Sequence, residues 1–293
     1  MDFDLAVETK KLERKLKQIA GKEFLPQALL QIVSNTAVLQ LASRENVTVQ
    51  PLRPQVTTAM HIQGAPLVER TAFTYDPKET AILFGKLLAM LDNAEGPLAT
   101  SAKKIREAIE NKELSIQEAC EAFIQDDTMF YADWAARIPE SPSLVRFLAQ
   151  GSLTPSLEAQ SEQLKEYRSD DEPWAYGHCP HCGSQPLNGS LKEKEGFKHL
   201  TCSFCRLEYR AKRLQCAFCG EEDHDQLEYF KAEGEPGYEV HVCKTCKCYL
   251  KISDFREFDK VSIPVLDDLE SLTLDILARK QGYARPTLSA WGF

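Results

Sequence analysis

Nine of the ten cysteines in this 293-residue chain fall between Cys179 and Cys248. Eight of them form four Cys-x-x-Cys pairs, Cys179/Cys182, Cys202/Cys205, Cys216/Cys219 and Cys243/Cys246, separated by 19, 10 and 23 residues. Two thiolates three positions apart on a tight turn both point at one ion, about 2.3 Å away for zinc, and a second turn across a hairpin completes a tetrahedron. The 19-residue gap fits the usual spacing of about 15 to 20, and the 23-residue gap slightly exceeds it. Cys182 and Cys219 are followed by Gly183 and Gly220, which relieve a positive-φ turn, whereas Cys205 and Cys246 are not followed by glycine. That alternation pairs the first knuckle with the second and the third with the fourth, with an interleaved arrangement as the alternative. The expectation is two metal ions in two four-cysteine sites within successive rubredoxin-like or zinc-ribbon modules. Iron and zinc both accept four thiolates in a tetrahedron, so the metal stays open.

The remaining chemistry-bearing residues are weighed against this pattern. Cys120 lies in an amphipathic helical stretch and reads as core. Cys248, beside Cys246, reads as a strand residue, with an alternate ligand or a redox-active thiol as the other readings. His178, His181, His199, His224 and His241 lie near the knuckles as possible replacement ligands, but are expected in hairpins and loops. Lys198, Arg206, Arg210, Lys212 and Arg213, with Phe204 and Tyr209 interleaved, resemble a nucleic-acid ribbon patch. Residues 173–260 nevertheless carry 13 Lys and Arg against 14 Asp and Glu, and the whole chain has a formal charge of −9. Counter-charge for thiolates is the favoured reading, and nucleic acid is not expected as a partner. Asp267, Asp268 and Asp275 on the last helix offer carboxylates, two of them in its first turn, where they complement the helix dipole. No Ser-His-Asp order, glycine-rich phosphate loop or HExxH helix is visible, so no catalytic residue is assigned and the protein is not expected to be an enzyme.

The elements that position these residues follow from periodicity. Leu25 to Leu39 and Leu83 to Leu91 repeat apolar residues at helical spacing, and further helices are expected over Ser101–Glu110, Ser115–Gln125, Thr128–Ile138, Leu144–Gln150 and Ser156–Tyr167. Asn46–Val56, with Pro51 and Pro54, reads as extended. After about Asp170 the period changes to two, predicting hairpins over Leu187–Thr201 and around Gly234–Gly237, and one closing helix over Val265–Gln281 with Leu269, Leu272 and Ile276 inward. The fold class is α+β. It comprises an irregular helical N-terminal domain (1–172), two four-cysteine ribbon modules (173–212 and 213–260), and a C-terminal helix and tail (261–293). No apolar run reaches the roughly 18 to 20 residues of a membrane span, and the start lacks a signal-peptide pattern, which predicts a cytoplasmic protein without membrane insertion. In a reducing compartment, Cys-x-x-Cys pairs are metal ligands more often than disulfides. Nothing fixes the oligomeric state.

The chain also resembles the FdhE family of formate dehydrogenase accessory proteins. The resemblance rests on His178-Cys-Pro-x-Cys182-Gly-Ser-x-Pro186, Leu200-x-Cys202-x-x-Cys205, Arg213-x-x-Cys216-x-x-Cys219-Gly220, and Cys243-x-x-Cys246 with Tyr249-Leu250-Lys251. It continues through Asp267-Asp268-Leu269, Leu274-Asp275 and Gly282-Tyr283-x-Arg285, and more faintly in Gly64-Ala-Pro-Leu67; Cys248 and the tail from Leu288 depart from it. The resemblance implies a helical domain with two rubredoxin-like modules, metal ligation by the eight knuckle cysteines, and a maturation factor that binds the catalytic subunit of formate dehydrogenase. A rubredoxin-like electron carrier, with the same thiolate sets, is the alternative.

Overall fold

The computed structural model describes residues 3–22, 24–92, 96–169 and 172–291, so the composition boundary expected near Asp170 falls partly outside them. The chain forms two compact units, neither contiguous in sequence: residues 1–52, 70–160 and 290–293 make one, and residues 53–69 and 161–289 the other. In chain order the helices are α1 (Leu5–Ile19), α2 (Gln27–Asn46), α3 (Thr58–Ile62, in the second unit), α4 (Pro77–Asp92), α5 (Pro97–Glu110), α6 (Ile116–Gln125), α7 (Thr128–Arg137) and α8 (Leu144–Gln163). Side-chain oxygens of Asp4, Ser115 and Asp127 cap α1, α6 and α7 by accepting from first-turn amides.

In the helical unit, α2 packs against α1 and α4. Leu83, Phe84, Leu87, Leu88 and Leu91 of α4 are all buried, as their three- and four-residue spacing requires. Cys120 is fully buried, and burial pushes its thiol up to about 12. One expectation fails here. The two helices predicted on either side of Pro155 are a single helix, α8. Proline removes the amide that would bond the carbonyl of Gly151, and the Gln40 Nε2 donates to that oxygen instead at 2.8 Å. A long-range side chain thus satisfies the group that would otherwise break the helix.

The second unit is built on strands β1 (Pro186–Lys192), β2 (Phe197–Cys202), β3 (Glu208–Arg210), β4 (Leu227–Phe230), β5 (Tyr238–Cys243) and β6 (Tyr249–Asp254). Both expected hairpins form. The two modules are not separate sheets, however. They share one six-stranded sheet of order β3-β2-β1-β6-β5-β4, joined where β1 runs parallel to β6. Gly189 opposes Ile252 at this seam; a Cβ there would lie 2.7 Å from the Ile252 Cδ1 and 2.8 Å from the His199 carbonyl oxygen, so only glycine lets the strands close.

The closing helix is likewise two, α9 (Pro264–Glu270) and α10 (Leu272–Lys280). Between them Ser271 leaves the helical region (φ −111°, ψ 28°), and its hydroxyl donates to the Asp267 carbonyl at 2.7 Å. The break rotates the apolar stripe: Leu266, Leu269, Leu274 and Ala278 are buried, while Ile276, expected inward, is 57% exposed. Leu274 and Ala278 pack on Tyr238, Val240, Val242 and Tyr249. Among the described residues no helix is long and apolar enough to cross a membrane.

Candidate metal centres

All four knuckles have one backbone design. The amide of the first cysteine donates to the carbonyl five residues on: Cys179 to Ser184, Cys202 to Leu207 and Cys216 to Glu221 at 2.8 Å, and Cys243 to Cys248 at 3.0 Å. The residue after the second cysteine is left-handed in every case. Gly183 (φ 75°) and Gly220 (φ 76°) take this conformation without strain, but Arg206 (φ 60°) and Lys247 (φ 57°) adopt it too. The glycine distinction in the sequence therefore marks relief of strain and not a different turn.

These turns bring the thiols together in sequential sets, Cys179/Cys182/Cys202/Cys205 and Cys216/Cys219/Cys243/Cys246, with all sulfurs of a set within 4.8 Å of one another. Sulfur separations of 3.5 Å (Cys182 to Cys202) and 3.7 Å (Cys179 to Cys205, Cys182 to Cys205, Cys216 to Cys246, Cys219 to Cys243) match the edge of a tetrahedron of about 3.8 Å that metal–sulfur bonds of about 2.3 Å produce. They are far from the roughly 2.05 Å of a disulfide, and the cysteines are free. Burial pushes the Cys179 and Cys205 thiols well up. It raises Cys182 as well, but hydrogen bonding with Cys179, Cys202 and Cys205 outweighs it and holds that thiol well below its usual range. In the second set burial pushes Cys216 up to about 11 and Cys246 higher still, while Cys243 is lowered by bonds from the Cys246 amide and the Cys219 thiol despite its own burial. Four crowded thiols resist ionising together unless a cation sits among them, so the donor sets fit a divalent or trivalent ion.

The first set is enclosed. Its four cysteines are at most 3% exposed. The Leu67 and Val68 amides donate to the carbonyls of Pro180 and His181 within that knuckle, at 2.8 and 3.0 Å. Pro66 faces Gly183, and His61 stacks on Trp174 with ring centroids 4.8 Å apart. The Ser161 hydroxyl lies 3.5 Å from the Cys205 Sγ as a donor and 3.1 Å from the His181 Nδ1. Of these residues around the thiols, the sequence drew notice to His181 and Gly64-Ala-Pro-Leu67; Ser161 carries no spacing signal. The second set is open: Cys219 is exposed, Cys246 half-buried, and Cys216 and Cys243 line a cavity of about 300 Å³ together with Lys198, Cys248 and His241.

None of the five histidines joins a set among the described residues. His178 donates through Nε2 to the Gly64 carbonyl, His241 pairs with Glu239 at 2.7 Å, and His224 stands in solvent between Asp223 and Asp225. Cys248 serves through its backbone, closing the fourth knuckle, and its thiol reaches the Cys246 carbonyl at 3.5 Å. Phe204 and Tyr209 are buried and so are not placed to stack on bases. Lys198 is buried, donates to the Gln215 carbonyl at 2.7 Å and is pushed down to about 8 by that burial; Lys212 pairs with Glu222 and Arg213 with the Glu195 and Gly196 carbonyls. The carboxylates of α9 and α10 are structural. The Lys251 Nζ sits 2.8 Å from Asp268 and 2.6 Å from Asp275, Arg285 lies 2.9 Å from Asp268, and the Tyr249 hydroxyl donates to Asp275 at 2.6 Å.

Fold and donor sets together define a protein that combines a helical unit with a mixed β-sheet bearing two rubredoxin-like four-cysteine clusters. Sequence models of two domains match this part: "FdhE, central domain" over residues 178–213 and "FdhE, C-terminal domain" over residues 214–290. Residues 178–290 of this chain thus resemble the central and C-terminal domains of FdhE proteins. The FdhE homolog of Aquifex aeolicus is 31% identical over 156 residues, covering 52% of this chain and 54% of that protein. The homolog of Haemophilus influenzae strain PittEE is 36% identical over 119 residues, 40% of this chain and 38% of that protein. The matches thus span about half or less of these relatives' length. The FdhE of Salmonella dublin is 28% identical over 250 residues, 83% of this chain and 75% of the relative. The crystal structure of the FdhE protein from Pseudomonas aeruginosa shares the fold, with a TM-score of 0.68 and 21% identity over 99% of this chain and 97% of that one.

Proposed function

We propose that the eight knuckle cysteines hold two metal ions, iron or zinc, and that the chain is a cytoplasmic accessory protein in the maturation of formate dehydrogenase, acting by binding that enzyme's catalytic subunit. The observation that carries this reading is the pair of four-sulfur sets of tetrahedral size on one shared sheet, in a chain whose residues 178–290 match the FdhE domain models. Zinc in such a site supplies folding energy, whereas iron adds one-electron chemistry. The carboxylates of α9 and α10 are engaged in buried ion pairs, which supports a binding role over turnover of a small substrate. Metal analysis of protein purified without air, with its visible spectrum, identifies the ions. Replacing Cys179 and Cys182 by Ser should weaken co-purification with the catalytic subunit and lower formate dehydrogenase activity in cells at unchanged subunit levels. Normal activity in a strain whose sole copy is that metal-depleted form would contradict the proposal. The exposure of Cys219 favours a second reading, an electron carrier, which requires reversible iron spectra and is excluded by colourless zinc.

A further inference from the structure

The two sets differ in what a ligand from solution meets first. Around the first, the amides of Phe204 and Cys205 donate to the Cys202 Sγ at 3.3 and 3.4 Å, the Ser161 hydroxyl donates to Cys205, and the 67–68 backbone is bonded across the knuckle. No cysteine there is more than 3% exposed, so reaching its sulfur means first opening several hydrogen bonds. Around the second, the Phe218 amide likewise donates to the Cys216 Sγ at 3.4 Å, but Cys219 is exposed, Cys246 is half-buried, and the buried Cys216 and Cys243 line a cavity of about 300 Å³.

We propose, resting on the two-ion reading above, that the sites are inequivalent: Cys179/Cys182/Cys202/Cys205 holds its ion as a permanent part of the fold, and Cys216/Cys219/Cys243/Cys246 is an exchange site that gives up and takes up an ion with thiol- or nitrogen-bearing ligands from solution. Cys219 is the leaving ligand. Its thiolate gives up its bond to the ion and takes a proton from water as the donor atom of the incoming ligand occupies the vacated position. Cys216, Cys243 and Cys246 remain bound until further donors displace them in turn. No electron is transferred. The cavity gives a planar or bidentate ligand room beside Cys216 and Cys243, and Lys198, whose Nζ donates to the Gln215 carbonyl, stands on its wall.

The test uses the full chain loaded with zinc, its content measured first, and then mixed with excess 4-(2-pyridylazo)resorcinol while iodoacetamide traps released thiols for mass spectrometry. One equivalent should leave fast and the other at least about tenfold more slowly, because the enclosed site must open before exchange. Label should enter Cys216, Cys219, Cys243 and Cys246 during the fast phase and Cys179, Cys182, Cys202 and Cys205 only during the slow one. Release of both ions in one phase, or fast-phase label on the first four cysteines, overturns the inequivalence while leaving the two-ion reading intact. A loaded protein with fewer than two ions, whose eight thiols are labelled before any chelator is added, overturns the two-ion reading and the inference with it.

Discussion

A left-handed residue after each second cysteine is the smallest unit on which both sites depend. At Gly220 an added Cβ would meet nothing within 4 Å, so replacing it tests backbone conformation without a steric clash. Gly220→Ala should destabilise the second unit by about 1 kcal/mol, the cost of holding an L-residue near φ 76°. Urea midpoints of the zinc-loaded protein would show it, and an unchanged midpoint would mean that the turn tolerates alanine as it tolerates Lys247. The second knuckle and the fourth already carry that strain at Arg206 and Lys247, where the hydrogen bond from the first cysteine amide holds the turn closed. Sequence exposed the cysteines and the two glycines directly. It was silent on the common turn, because a positive φ at arginine or lysine leaves no mark in composition.

Four segments meet at the buried ion cluster, where β6 contributes Lys251, α9 Asp268, α10 Asp275, and the segment beyond α10 Arg285. Burial works to raise the Asp268 carboxyl, but Lys251 and Arg285 outweigh it and hold it below the ordinary carboxylate range. Because its folded value lies below the unfolded value of about 3.9, the unfolded chain binds more protons as acid is added, and the contribution of Asp268 is present above about pH 4 and lost below it. Asp268→Asn leaves Lys251 and Arg285 facing a neutral amide, and should cost about 3 to 5 kcal/mol at neutral pH. Since its charge is gone, the variant should also lose less stability than the parent between about pH 5 and pH 3. Parallel acid limbs in urea titrations of the two proteins would show that Asp268 is not the group responsible. These acids were visible in the sequence, yet Lys251 and Arg285 each lie 17 residues from Asp268 and Lys251 lies 24 from Asp275, and those pairings were not.

At the scale of the molecule, each unit has its own interior: apolar faces of α4 and its neighbours in one, and two sulfur sets with the sheet and α10 in the other. Ribbon-sized modules seldom fold on apolar burial alone, and structural zinc contributes roughly 10 to 16 kcal/mol in comparable peptides. A strong chelator held long enough to empty both sites should therefore make residues 161–289 protease-sensitive while the helical unit stays resistant. Mass spectrometry of the fragments reads the result. Equal resistance of both units after confirmed metal loss would show that the sheet stands without its ions.

What the sequence by itself determined is the chemistry and its local scaffolding. The spacing of Cys179 through Cys246, the two hairpins and the α4 stripe are short-range patterns, legible from periodicity and spacing. Tertiary structure alone decided the rest. The β1–β6 pairing merges two modules into one sheet, joining Gly189 to Ile252, while Gln40 rescues the carbonyl that Pro155 orphans in α8, and the 53–69 segment lies on the first knuckle. Each is a contact between residues far apart in the chain, chosen by which buried hydrogen-bonding groups lack a local partner. The same holds for the contrast between an enclosed and an open four-cysteine set, since both read alike as spaced cysteines and only the surrounding chain distinguishes them.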